Sequence, residues 1–220
     1  MHLPWLYYLG KVLVRLLLLL TRWQVKGREN IPSQGPVLII ANHINLADPP
    51  LLTFSLGRRL IFMAKEELFR SKMVSYFIRN FGAFPVHRSR IDRQALHQAS
   101  QVLADGLPLA MFPEGKRSRN AQLQPAFLGS ALIASHNQGI PILPVGISGT
   151  EKIKGVAWFL HRPKITVNIG SPFYLPLSHS KPIKVELAQL ATLMMEHIAE
   201  LLPPEYRGNY ARQGNRKYEN

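Results

Sequence analysis

The sequence predicts an α/β fold, a largely parallel mixed sheet flanked by helices, preceded by an amphipathic membrane-associated helical segment. Short apolar, β-branched runs bounded by Gly, Pro, Asn or charge alternate along the chain with stretches of helical period, the pattern of strands joined by helical crossovers. The composition agrees: 220 residues, 46% hydrophobic and 18% charged, suit one domain with a sizeable core plus an appendage. There is no cysteine, which removes disulfide scaffolds, thiol nucleophiles and zinc-thiolate sites. Chemistry must then rest on His, Asp, Glu or Ser. The 27 Lys and Arg against 13 Asp and Glu give a net charge of +14, which favours nucleic acid, phosphate-bearing metabolites or an anionic membrane face.

The first element spans residues 1–22. Leu3 to Thr21 is apolar enough to raise a transmembrane helix, but Lys11 and Arg15 interrupt it. Each charge at a helix centre costs roughly 2.5 to 3.5 kcal/mol on insertion scales, cancelling most of what the leucines contribute. On a helical wheel Lys11, Arg15 and Arg22 share one sector, while Leu6, Leu9, Leu13, Leu16, Leu17 and Leu20 fill the opposite one. Trp5, Tyr7, Tyr8 and Trp23 add residues that prefer the headgroup region. The expectation is an in-plane helix with Trp5, Lys11, Arg15 and Arg22 as membrane-binding residues, the alternatives being a true span or a helix packed on its own domain.

A domain over residues 23–204 follows. Its expected strands are Val37 to Ala41, Leu60 to Ala64, Ala83 to His87, Pro108 to Phe112, Ile142 to Ile147 and Ile165 to Ile169. Expected helices are Pro49 to Leu56, Ser71 to Asn80, one that starts after Ser89 with Asp92 in a capping box, Pro125 to Asn137, and Lys181 to Leu202. The polar tail, residues 205–220, is expected to hold little fixed structure.

Two stretches carry candidate chemistry. His43 follows directly on a predicted strand, where α/β folds place their sites, and Asp48 comes five residues later. Such a pair suits a general base with an orienting carboxylate: Asp48 accepts the Nδ1 proton and leaves Nε2 to take one from a hydroxyl. The pair alone also fits a hydrogen-bonded surface histidine. The second stretch, Phe112-Pro113-Glu114-Gly115-Lys116-Arg117-Ser118, closes another strand with a carboxylate, a glycine and two cations, suited to gripping a phosphorylated or polyhydroxylated group. It is not a Walker A loop, since Ala110 stands where the first glycine belongs. Nor does the chain contain a Gly-x-Ser-x-Gly elbow.

Taken together, four blocks resemble the glycerolipid acyltransferase family, specifically its bacterial 1-acyl-glycerol-3-phosphate acyltransferases. They are Asn42-His43-x4-Asp48, Gly82-Ala83-Phe84-Pro85-Val86-His87-Arg88, Phe112 to Ser118, and Ile140-Pro141-Ile142-Leu143-Pro144-Val145-Gly146. The resemblance covers Trp23 to Phe173. It implies transfer of a fatty acyl group from acyl-CoA or acyl carrier protein to the sn-2 hydroxyl of lysophosphatidic acid, giving phosphatidic acid for phospholipid biosynthesis. His43 is then the base and Asp48 its partner. By the same resemblance Arg88, Glu114, Gly115, Lys116 and Arg117 bind the acceptor's glycerol-phosphate end, Lys65 approaches that phosphate, and Pro144 lies near the thioester. Lys116 replaces the family's usual threonine and His87 a common acidic residue; both changes add positive charge, which favours a phosphate. A related acyltransferase using another lysolipid, a glycolipid or an amino lipid is the alternative.

The chemistry fits that implication. A thioester is already activated, so a His–Asp pair suffices without a covalent enzyme intermediate, a metal or any cofactor beyond the thioester co-substrate. A nucleic-acid partner is not expected, because neither exposed base-stacking aromatics on strands nor a helix-turn-helix pattern is evident. The expected location is the cytoplasmic face of the cell membrane, held peripherally or monotopically, with an anionic membrane surface as partner.

Overall fold

A computed structural model describes residues 12, 19–87, 92–155, 157–175 and 183–211. Its frame is a seven-stranded sheet in the order β1-β7-β6-β2-β5-β3-β4. The strands are β1 (Arg22–Lys26), β2 (Val37–Ala41), β3 (Ile61–Lys65), β4 (Ala83–Val86), β5 (Pro108–Met111), β6 (Ile142–Ser148) and β7 (Lys164–Ile169). All pairings are parallel except β6 with β7. The helices are α1 (Asp48–Leu56), α2 (Lys72–Asn80), α3 (Arg93–Ala104), α4 (Leu128–His136) and α5 (Lys184–Glu200).

Side-chain alternation sorts the two faces. Every residue of β2 is buried, so the strand reads as continuous apolar sequence, as a central parallel strand must when both faces are covered. Val37, Ile39 and Ala41 pack with Leu51, Leu52 and Leu56 of α1, together with Leu143, Val145 and Ile147 of β6. Leu38 and Ile40 face the other way, toward Ala99 and Leu103 of α3, Ala131 and Ala134 of α4, and Met194, Met195 and Ile198 of α5. Burying a side chain of this size is worth about 1.5 to 3 kcal/mol, so the sheet and its two helical layers form one cooperative unit. Gly146 shows how closely the layers approach: a Cβ there would lie 2.9 Å from Cβ of Leu201, just past the end of α5.

Several elements differ from the sequence expectation. Strand β1 was not expected, and Arg22, assigned to the basic stripe of a membrane helix, is instead its first residue. The Arg22 backbone N–H donates to Pro163 O at 3.0 Å, and its Nε donates to Arg162 O. The other membrane-binding candidates, Trp5, Lys11 and Arg15, lie outside the described residues. Among the described residues no helix is long and apolar enough to cross a membrane. Helix α3 is capped by Asp92 itself, whose side chain accepts from Ala95 N at 3.0 Å, so it starts later than a Ser89 cap would place it. The tail also departs from expectation as far as Ala211: Pro204–Tyr206 and Gly208–Tyr210 form 3-10 turns, and Tyr206 is buried. Its hydroxyl donates to Glu151 at 2.8 Å and accepts from Gly149 N, which ties the chain end to the loop after β6.

Candidate active site

Because β2, β3, β4, β5 and β6 are mutually parallel, their C-terminal ends share one edge of the sheet. The motif residues that follow β2, β3, β4 and β5 therefore converge there. The loop after β2 starts with Asn42, whose buried side chain donates from Nδ2 to Ile147 O at 2.8 Å and accepts from Ile147 N at 2.7 Å. This pair of bonds completes the β2–β6 ladder one step past its backbone and aims the chain into the His43 loop.

His43 Nδ1 lies 2.9 Å from Asp48 Oδ2. The same oxygen accepts from Ile44 N at 2.6 Å and Asn45 N at 2.7 Å. Asp48 opens α1, where the helix N-terminus favours a negative charge, and its side chain is fully buried. With Nδ1 committed to Asp48, Nε2 is the nitrogen left to take a proton. The imidazole is 13% exposed and stacks on Phe112, with centroids 4.1 Å apart and planes at 18°. Stacking on one side and the carboxylate behind fix the ring in a single orientation, the preorganisation a general base needs.

Glu114 comes from the loop after β5 and is fully buried. Its Oε1 accepts from His43 N at 2.9 Å and its Oε2 from Gln124 N at 3.0 Å. Both oxygens are thus engaged by backbone, and the geometry makes Glu114 an anchor that holds the His43 loop. Burial pushes its carboxyl up to about 7 and the nearby Asp48 charge adds to that, against the two amides and Lys116, which pull it down. A further backbone bond, Ser118 N to His43 O at 2.7 Å, clamps the same two loops.

The remaining candidates divide by position. Lys116 and Arg117 are exposed on the loop that Glu114 anchors. Gly115 has φ 64, and a Cβ there would lie 2.7 Å from the Phe127 ring, so only glycine lets the loop pass. Lys65 ends β3 on the same edge and pairs with Glu67 at 2.9 Å. His87 is paired with Glu66, so Lys65 and His87 each face an acid of the turn Glu66–Phe69. Arg88 lies outside the described residues. Pro144 is not on this edge: it is buried in the middle of β6, paired with Ile40, and its Cγ would lie 3.0 Å from a Cβ on Gly170. Asn42 and Phe112 enter the sequence analysis only as members of their blocks, with no contact assigned to them, and Asn45 has no part in it. An asparagine directly after a buried strand was the available signal for the contact that Asn42 makes.

Beside the His43–Phe112 stack lies a cleft of about 350 Å3 between the sheet edge and helices α3 and α4. Met63, Val86, Met111, Phe112, Phe127 and Ile133 give it an apolar wall, and His87 and Gly115 also line it. Among the described residues no group of three His, Asp or Glu is placed to hold a metal ion.

The chain is similar in sequence and in fold to known proteins. The chain is 32% identical over 168 residues to a 1-acyl-sn-glycerol-3-phosphate acyltransferase of Streptococcus pneumoniae (strain ATCC BAA-255 / R6), an alignment covering 72% of this chain and 61% of that protein. It is 26% identical over 181 residues to the enzyme of the same name from Bacillus subtilis (strain 168), covering 81% of this chain and 87% of that one. The crystal structure of the 1-acyl-sn-glycerophosphate (LPA) acyltransferase PlsC from Thermotoga maritima superposes with a TM-score of 0.62 at 29% identity, over 82% of this chain and 72% of that one. A family model described as Acyltransferase matches residues 22–148, the stretch from the start of β1 to the end of β6 in which His43, Asp48 and Glu114 all lie, and the chain belongs to that family.

Proposed function

We propose that the protein transfers a fatty acyl group from a thioester, acyl-CoA or acyl carrier protein, to the sn-2 hydroxyl of 1-acyl-glycerol-3-phosphate, forming phosphatidic acid at the cytoplasmic face of a membrane. The observation that carries this reading is the oriented His43–Asp48 pair beside an apolar cleft. His43 Nε2 removes the hydroxyl proton as the oxygen attacks the thioester carbonyl, and Asp48 stabilises the imidazolium that forms. Collapse of the tetrahedral intermediate breaks the carbon–sulfur bond, and the imidazolium returns its proton to the leaving thiolate. The cleft takes an acyl chain along Met63, Met111 and Phe127, while Lys116 and Arg117, with Lys65 and Arg88, hold the acceptor phosphate. The named relatives support the choice of acceptor.

A panel of acceptors tests it. Purified protein is given each thioester with lysophosphatidate, an unphosphorylated monoacylglycerol, a glycolipid and an amino lipid, and thiol release is followed. Lysophosphatidate is expected to be the preferred acceptor, and Arg117→Ala to raise its KM without affecting the monoacylglycerol in the same way. Preference for a glycolipid or amino lipid, or equal loss with the unphosphorylated acceptor, would replace the phosphate assignment.

A further inference from the structure

The catalytic edge carries a second feature. β6 ends on it, and β7 starts from it because that pair is antiparallel. Between them the 3-10 turn Trp158–His161 closes at Arg162 with φ 41, a left-handed backbone in a non-glycine residue. Surroundings must hold such a conformation in place. In the same turn Phe159 and Leu160 are 41% and 70% exposed. Lys152, Lys154, His161, Arg162 and Lys164, from the same stretch of chain, are all exposed, and the sequence has no carboxylate between residues 152 and 164.

The β6–β7 connection that carries this turn is hydrogen-bonded to its neighbours on the edge at two points, Ile153 and Arg162. Asn45 Nδ2, in the His43 loop, donates to Ile153 O at 3.2 Å. Arg22 donates from Nε to Arg162 O at 3.2 Å, and Leu19 and Leu20, which precede the buried Thr21, are 70% and 41% exposed. Leu46, within the His43 loop itself, is 69% exposed. Exposed large apolar side chains ringed by cations and accompanied by a tryptophan match the headgroup layer of an anionic bilayer, apolar side chains inward and cations at phosphate depth.

We propose that the Trp158–Arg162 turn is a membrane-docking element. Phe159 and Leu160 enter the acyl layer of an anionic bilayer, Lys152, Lys154, Arg162 and Lys164 meet its phosphates, and the Asn45–Ile153 link sets the His43 loop at the lipid surface. The inference deepens the lipid-acceptor reading and rests on it. It adds a contact made by the connection between β6 and β7.

The absence of cysteine makes a direct test available. Leu160→Cys in the full chain carries a single environment-sensitive fluorophore, and vesicles of phosphatidylglycerol with phosphatidylcholine are added without substrate. A blue shift that is smaller on pure phosphatidylcholine and shrinks at high salt is expected. The double variant Phe159→Ser, Leu160→Ser should lower partitioning onto the anionic vesicles by about tenfold or more. Its thermal midpoint and its turnover of a monomeric short-chain lysophosphatidate should stay as in the parent. Protein that sediments with vesicles while the fluorophore stays unshifted overturns the proposal, as does a shift produced only by a soluble acidic protein. Because the shift is read without turnover, a protein inactive on lysophosphatidate that still shifts supports docking while refuting the proposed activity.

Discussion

Asp48 Oδ2 gathers three donors, the His43 ring and the amides of Ile44 and Asn45, while Oδ1 is buried without a hydrogen-bond partner among the described residues. Asp48→Asn can keep an oxygen at the Oδ2 position and leave the loop in place, so what it removes is the charge opposite the imidazolium. Its kcat should fall by about 10² to 10⁴ with little change in fold, read by thiol release beside a circular-dichroism melt. Glu114 acts differently, through protons. Its carboxyl is raised from an ordinary 4.5 to about 7, so between those values the folded state holds a proton the unfolded state has lost. The Glu114 contribution to stability is therefore fully present below about pH 4.5 and declines as the pH rises through about 7. Glu114→Gln does not titrate and should flatten that slope. It should also cost about 1 to 3 kcal/mol by leaving the amide of His43 or Gln124 without an acceptor. Urea midpoints of parent and variant at acid and neutral pH measure both effects, and an unchanged slope would remove Glu114 as its source.

At the scale of elements, the cap of α3 joins stability to the site. Asp92 accepts from Ala95 N and also from His87 N at 2.9 Å, so one carboxylate starts the helix and fixes the strand end that precedes Arg88. Burial pushes this carboxyl up, yet the amides of His87 and Ala95 outweigh it and hold it below its ordinary value. Asp92→Ala should cost about 1 kcal/mol, seen as a lowered thermal midpoint, and should disturb the cleft wall that Ala95 and Leu96 help to form. The central strands were legible because burial on both faces writes itself as uninterrupted apolar sequence, as in β2 and β6. Strand β1, Arg-Trp-Gln-Val-Lys, was not: three of its five residues are polar and exposed, and only pairing with the distant β7 makes it a strand. The buried Tyr206 was hidden for the same reason, since its partners Gly149 and Glu151 lie more than fifty residues away. His43 and Asp48 were legible as a local pair. The acceptor-binding role of Glu114 rests on the family resemblance; its bonds to the amides of His43 and Gln124 are visible only in the folded chain, because those partners lie 71 and 10 residues away.

At the scale of the whole molecule, a parallel sheet brings five strand ends to one edge, and that edge holds the histidine, the cations, the cleft mouth and the exposed apolar turn. Part of the positive charge lies here, because Lys116, Arg117, Lys152, Lys154 and Arg162 all come from loops on that edge. The chain spans 61% of the pneumococcal relative's length, and its own family match ends with β6. The central claim is that this edge performs acyl transfer with His43 as the base. It is tested most directly by measuring thiol release and phosphatidic acid formation together, from an acyl thioester and 1-acyl-glycerol-3-phosphate, in the parent and in His43→Ala at equal folded concentration. The account predicts stoichiometric product and thiol in the parent and a rate lower by about 10² to 10⁴ in the variant; turnover in His43→Ala within a few-fold of the parent would contradict it.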